Sequence, residues 1–383
     1  MRALILDGTW DPRPGYPLTD DETRRRRARV ASQVWRHPAA ALAEVDDPPL
    51  ADDEVRVQVG ACGVCGSDTH CVETDEQGYL RFSGPTRLPV VLGHEYAGEV
   101  VEIGAAVTAV AVGDLVAAEG MLWCGLCEPC RSGLPNQCVR LEMLGFSAPG
   151  AFAERVVTRE RYCWSLAALR EPLGDERALE LGALLEPAGC SYNGLYVAAG
   201  GFRPGATAVI WGAGPIGLAA IPVALAGGAS RIWAFDPIPE RVALARAMGA
   251  DDAFDPADGD PAARILEQTG GRGADVHVEC AGAAAQTFPA IERCLAPAGK
   301  VIYLGRTGER APVEADRYVT GAHALVGSRG HAGGGVFPSL IRLVAAGRID
   351  LGPMITARFG LGEVLAALER SRARTDGKIL VRP

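Results

Sequence analysis

The chain has no excess of positive charge. Its 38 Lys and Arg are outnumbered by 47 Asp and Glu, for a formal net charge of -9. That balance argues against a generic nucleic-acid binder. It also lacks the marks of a secreted or membrane protein. The opening Met1-Arg-Ala-Leu-Ile-Leu-Asp7 turns polar too soon for a signal peptide. Residues 205–230 carry no charge, but six glycines and two prolines fall among them, and the pattern fits a strand, a tight turn and a buried helix rather than a membrane span. There is no internal repeat at solenoid periods. The only biased tract is Arg24, Arg25, Arg26 and Arg27 with Arg29. It follows Asp20, Asp21 and Glu22 and reads as a solvated helix start, with a subunit interface or an anionic ligand as the alternative.

Cysteine is plentiful, at 11 residues. Four of them, Cys124, Cys127, Cys130 and Cys138, stand at short spacing with Gly125, Pro129, Gly133 and Pro135 between them. Four thiolates on a turn-rich loop close a tetrahedral zinc site, and two disulfides are the bland alternative. Such a site has no open position, so it is structural and the chemistry lies elsewhere. Free thiols suit a reducing cytoplasm. We read Cys62 and Cys71 as buried thiols, and Cys163, Cys190, Cys280 and Cys294 as core residues.

The N-terminal part alternates short apolar runs with Gly/Pro turns. Strands are expected at residues 2–6, 54–59, 96–103 and 115–118, in a small β-rich, barrel-like domain. Residues 9–31 look like an insertion. From about residue 179 strand and helix patterns alternate: strands at 208–211, 231–235, 276–279, 300–304 and 324–326, with helices at 216–225, 240–248 and 285–294. Alternation of that kind means a doubly wound parallel sheet, so the fold class is α/β. Two more helices, 338–346 and 362–371, and a last strand, 378–381, complete the chain.

The first of the alternating strands runs into Gly212-Ala-Gly214-Pro215-Ile216-Gly217, a Gly-x-Gly-x-x-Gly turn opening a helix. Asp236 follows Gly217 by 19 residues, at the end of the next strand. Gly212 permits the tight turn, Gly214 the approach of a pyrophosphate, and Gly217 close helix packing. The helix start, with Pro215 and Ile216, offers its N–H groups to phosphate. Asp236 suits two ribose hydroxyls, which favours NAD; Arg241 faces the adenosine end and softens the preference toward NADP. Pro222 is the misfit, because a proline inside a helix removes a hydrogen bond and bends the axis.

An open metal site needs three protein ligands and an exchangeable position. Cys65-Gly-Ser67-Asp68-Thr-His70, Gly93-His94-Glu95 and Glu186-Pro187 supply candidates. With Gly145-Phe, Gly150-Ala-Phe-Ala-Glu154, the cysteine lobe and the glycine turn, this set resembles the zinc-dependent medium-chain alcohol/polyol dehydrogenase family, on its sorbitol, threonine and glucose dehydrogenase side. The resemblance covers nearly all of the chain except about 9–31.

It implies a GroES-like catalytic domain over 1–190 with a structural-zinc lobe at 120–140, a Rossmann domain over 191–328, and a return to the catalytic domain over 329–383. Cys65, His94 and Glu186 would hold a catalytic zinc, with Glu95 a fourth ligand or acting through a water or a ligand exchange. Ser67 would take the substrate proton and His70 relay it, while Asp68 orients. Arg329, near His331, would reach the nicotinamide and a polar substrate. His277 reads as structural; His37 and His323 have no motif around them. The expected reaction is NAD(P)-linked oxidation of a secondary alcohol of a polyol, sugar or cyclitol to the ketone, or its reverse. Alternatives are an amino sugar, aminocyclitol or amino-alcohol substrate and, furthest, a non-catalytic nucleotide-binding protein. The expected partners are a small polar alcohol or ketone and further copies of the chain, as a homodimer or homotetramer, with no nucleic acid and no membrane.

Overall fold

The computed structural model describes residues 1–306 and 308–383. The chain divides into two units. The first comprises Met1–Glu186, Ala357–Ala373 and Lys378–Pro383; the second Pro187–Thr356 and Arg374–Gly377. The sequence put the return to the first domain at residue 329. The structure keeps the helix Val336–Ala345 in the second unit, where its apolar face is buried, and the chain crosses back only at Ala357.

The first unit is built on the strand Glu54–Val64. Glu95–Ile103 pairs antiparallel along one edge. Arg155–Arg159 takes the other edge along residues 54–58, and Lys378–Arg382 the same edge along 62–64. The burial of Glu54–Val64 alternates at first and becomes continuous toward Val64, so the sheet's two faces are both covered where it approaches Cys65. A second sheet pairs Arg2–Trp10 with Trp35–Glu44 and with Val90–Val91. The strand Trp35–Glu44 was not foreseen, because its Ala-Ala-Ala-Leu-Ala run carries little β propensity. Between its two long strands lies the insertion, with a short helix at Asp20–Arg25 whose first turn is acidic and whose last is basic, as expected.

In the second unit all six strands are parallel. Their order is Asp252–Phe254, Arg231–Phe235, Thr207–Trp211, Ala274–Glu279, Leu295–Tyr303, Ala324–Gly327. Sequence numbering within this sheet is therefore 3-2-1-4-5-6, with the topological switch beside Thr207–Trp211. The central strands Thr207–Trp211, Arg231–Phe235 and Ala274–Glu279 are buried over most of their length and mostly apolar, as in a sheet covered on both faces. The helix Pro215–Ala226 is buried nearly all round and runs on through Pro222, which lies in its interior. That explains the uncharged stretch. No described helix is long and apolar enough to cross a membrane. Lys300, one of only two lysines in the chain, donates from Nζ to the carbonyls of Ala199 and Gly201 at 2.7 Å each.

Candidate active site

Cys65 ends the central strand and caps the helix Gly66–Val72. Its N–H donates to Asp68 Oδ2 at 2.9 Å, which ties Cys65 to a fully buried carboxylate. Asp68 Oδ1 lies 3.4 Å from His94 Nδ1. One carboxylate thus fixes both the turn of Cys65 and the ring of His94, leaving the imidazole's other nitrogen for a metal.

His94 is placed by a meeting of three glycines. Gly93 has φ +91°, and a side chain on Gly145 or Gly150 would strike Gly93's backbone at 2.8 and 2.3 Å. Glycine at these three positions lets three backbones touch beside His94.

Cys65, His94 and Glu95 bring donor atoms within 4.8 Å of one another. Burial opposes a charge on His94, but the Asp68 carboxylate and the Cys65 sulfur outweigh it and lift its pKa well above the ordinary value. A pocket that favours positive charge on these donors fits a divalent cation. Glu186 is not a member of this trio; it sits half-buried on the helix Leu185–Tyr192, and Glu95 feels it as a nearby like charge. Ser67 occupies the first turn of the Gly66–Val72 helix, and His70 its last. Both are half-buried.

Lys378, the second lysine, escaped the sequence reading except as the start of a strand. It is fully buried, and its Nζ donates to both oxygens of Glu95 at 2.7 and 2.5 Å and to the carbonyl of Val64 at 3.0 Å. Burial by itself would lower the lysine's pKa; the Glu95 carboxylate more than offsets that and holds it raised. Burial likewise pushes Glu95 up, with Lys378 opposing. Contacts this short define an ion pair with the proton on the lysine. No local motif could have shown it, since the partners are 283 residues apart.

The four lobe cysteines also converge, with sulfurs within 4.8 Å. Cys127 and Cys130 are 3.4 Å apart, and backbone N–H groups of Leu126, Cys127 and Arg140 point at the sulfurs. The Leu126 and Cys127 N–H donors hold the Cys124 thiol down at about 6. All eleven cysteines are free, which removes the disulfide alternative and leaves a donor set suited to zinc. Cys62, Cys71, Cys163 and Cys294 are buried as expected, whereas Cys190 and Cys280 are only half-buried, and Cys190 lies within ligand distance of the buried His331.

In the second unit Gly212 has φ +92°, and a side chain there would strike Ala281; one on Gly217 would meet the Gly212 carbonyl at 1.9 Å. Gly214 has open space except for the Arg241 guanidinium, 3.7 Å from where a side chain would start. Pro215 and Ile216 begin the helix. Asp236 is buried and accepts from the N–H groups of Ala213 at 2.8 Å and Ile238 at 2.9 Å, locking the glycine turn to the next helix. Arg241 Nε is buried without a hydrogen-bond partner, and burial lowers its pKa. Arg329 lies just past Ala324–Gly327 and is solvent-exposed, while His277 is buried within its strand.

A 3-2-1-4-5-6 nucleotide sheet, a thiolate-imidazole-carboxylate trio and a closed cysteine quartet together define a two-domain zinc-type dehydrogenase. Two family models match: the alcohol dehydrogenase GroES-like domain over residues 51–168 and the zinc-binding dehydrogenase domain over 215–346. A scyllo-inosose 3-dehydrogenase of Thermotoga maritima is 38% identical over 97% of this chain and 96% of its own. An L-threonine 3-dehydrogenase of Pyrococcus horikoshii is 32% identical over 89% and 94%. A Thermotoga maritima structure assigned as an alcohol dehydrogenase superimposes with TM-score 0.96 at 36% identity, covering 100% of both chains. A Sinorhizobium meliloti structure assigned as a zinc-binding dehydrogenase and bound to NADP gives 0.78 at 28% over 99% of each. The chain belongs to the zinc-dependent medium-chain dehydrogenase family and is an oxidoreductase.

Proposed function

We propose that this enzyme oxidises a ring secondary alcohol of a cyclitol to the ketone, or runs the reverse reduction, with a nicotinamide cofactor. The observation that carries the substrate class is the 38% identity to a scyllo-inosose 3-dehydrogenase across essentially the whole of both chains. The second reading is an amino-alcohol substrate, favoured by the 32% identity to threonine 3-dehydrogenases.

In this reading Cys65 and His94 hold the catalytic zinc, with Glu95 or Glu186 completing the set, and Cys124, Cys127, Cys130 and Cys138 hold a structural one. Bound there, the metal supplies Lewis acidity to the substrate oxygen, and the nicotinamide supplies the hydride acceptor. Ser67 takes the hydroxyl proton and His70 passes it outward. Asp68 keeps His94 in its ligating tautomer. Asp236 and Arg241 receive the adenosine ribose, with NAD preferred and NADP accepted, and the glycine turn Gly212 to Gly217 receives the pyrophosphate. Arg329, being exposed, takes part only when substrate or cofactor covers it. The working form is a homodimer or homotetramer in the cytoplasm, acting on a small polar alcohol or ketone.

The test is one panel on one sample. Cyclitols, polyols, amino sugars and L-threonine are assayed for NAD+ and NADP+ reduction, with zinc measured by atomic absorption. Cyclitol turnover with two zinc ions per chain is expected. Turnover of threonine alone favours the second reading; no turnover of any of them, with no NAD(H) binding, overturns both.

A further inference from the structure

The insertion between Arg2–Trp10 and Trp35–Glu44 is wired to the metal-ligand histidine. Ala28 and Thr86 exchange backbone hydrogen bonds at 2.9 Å, Ala31 N–H donates to Gly84 O at 3.0 Å, and Ser32 N–H to Phe82 O at 2.9 Å. Phe82 N–H in turn donates to His70 O at 3.0 Å, near the end of the Gly66–Val72 helix. The Phe82 ring stacks on Phe146, centroids 4.4 Å apart and planes 15° from parallel, and Phe146 lies against the His94 ring at 4.9 Å.

A second anchor reaches the same aromatic pair from its other end. Arg27 Nε donates to Glu142 Oε2 at 2.8 Å, and its guanidinium also donates to the Leu141 carbonyl. Glu142–Met143 leads directly into Phe146, whose N–H bonds Met143 O at 3.1 Å. The Arg27 side chain is only 18% exposed, so this is not a loose surface pair. Phe82 and Phe146 are themselves buried and open onto no solvent.

We propose that residues 27–32 are a buttress for His94, holding Phe146, backed by Phe82, against its ring while Asp68 lies beside its Nδ1. Arg27 is thus a positioning residue for the metal site rather than a solvated charge. The inference rests on the reading of Cys65 and His94 as zinc ligands. Supports of this kind change metal affinity or activity by about 10- to 100-fold when removed.

The test follows zinc release from the holoenzyme to a chromogenic chelator, 4-(2-pyridylazo)resorcinol, for wild type, Arg27→Ala and Phe146→Leu. The expected result is that one zinc per chain leaves about 10-fold faster in both variants, while the other leaves at the wild-type rate and the Tm of Arg27→Ala stays near wild type. Should Phe146→Leu fail to fold, Glu142→Gln, which weakens the Arg27 anchor without touching the core, carries the same expectation. Two zinc ions per chain with unchanged release in the folded variants overturn the buttress alone. A wild-type protein with only the quartet's single zinc overturns the ligand reading and the buttress with it.

Discussion

His277 shows how a buried titratable side chain is kept silent. Trp211 Nε1 donates to its Nδ1 at 3.1 Å, and the Cys294 carbonyl lies 3.3 Å from its Nε2. An acceptor nitrogen on one side and a donor on the other is the pattern of a neutral imidazole. Burial lowers its pKa to about 4, with the carbonyl contacts opposing. The native state therefore binds its proton at lower pH than the unfolded chain, whose histidine titrates near 6.5. The stability this contributes is complete above that value and is lost as pH falls toward 4, about 3 kcal/mol in all. Urea melts of wild type and His277→Gln at pH 7 and pH 4.5 should show the larger acid loss in wild type. At Lys378 the expectation is starker. Lys378→Met leaves the Glu95 carboxyl buried and unpaired, at a cost of about 3–5 kcal/mol. Adding Glu95→Gln in the same chain should recover much of it in a denaturant titration.

At the level of elements, the two cysteine sites separate by experiment. Cys65→Ala removes a ligand from an open trio at the end of a strand whose packing is otherwise intact, so turnover should vanish with little change in Tm. Cys124→Ala opens a closed loop with little regular structure to fall back on, only the short helix Glu128–Arg131 and the single helical turn Pro135–Gln137. Structural zinc stabilises such loops by roughly 10 kcal/mol in isolated peptides, so this variant should lose Tm first and activity only as a consequence. The insertion has its own pH limit. Burial would raise the Glu22 carboxyl, but the N–H groups of Arg29 and Thr19 and the hydroxyls of Thr19 and Tyr16 outweigh it and hold it at about 2. Its contribution is present above about 4.5 and is lost as pH falls toward 2. Hydrogen exchange of residues 19–29 should accelerate across that window before the rest of the first unit does.

The same elements show what the sequence could and could not reveal. Strands such as Arg231–Phe235 were legible to the residue, because a strand covered on both faces reads as a short, nearly continuous apolar run, here Ile232–Phe235. The helix Pro261–Gln268 was missed although Asp260 caps it and Pro261 opens it, a start signal that reads without any periodicity. Cys65 and His94, whose donor atoms the fold brings together with Glu95, were legible as candidates because each sits in a short motif. Lys378 and the Phe82–Phe146 stack were not, since only the folded sheet brings residues so distant in the chain together.

Taken whole, the chain is acidic yet nearly without lysine. It has 383 residues and two lysines, with arginine making up the rest of its basic side chains. Lys300 is held by two backbone carbonyls, and Lys378 by a carboxylate and a third carbonyl in the interior. Amine-directed reagents such as succinimidyl esters and aldehydes therefore find almost no side-chain target on the native fold. Acylation of Lys378 requires its sheet edge to open and Glu95 to let go, so the appearance of that adduct in a mass spectrum times the opening of the metal-site sheet. The enzyme carries its own unfolding reporter at the residue that pairs with Glu95.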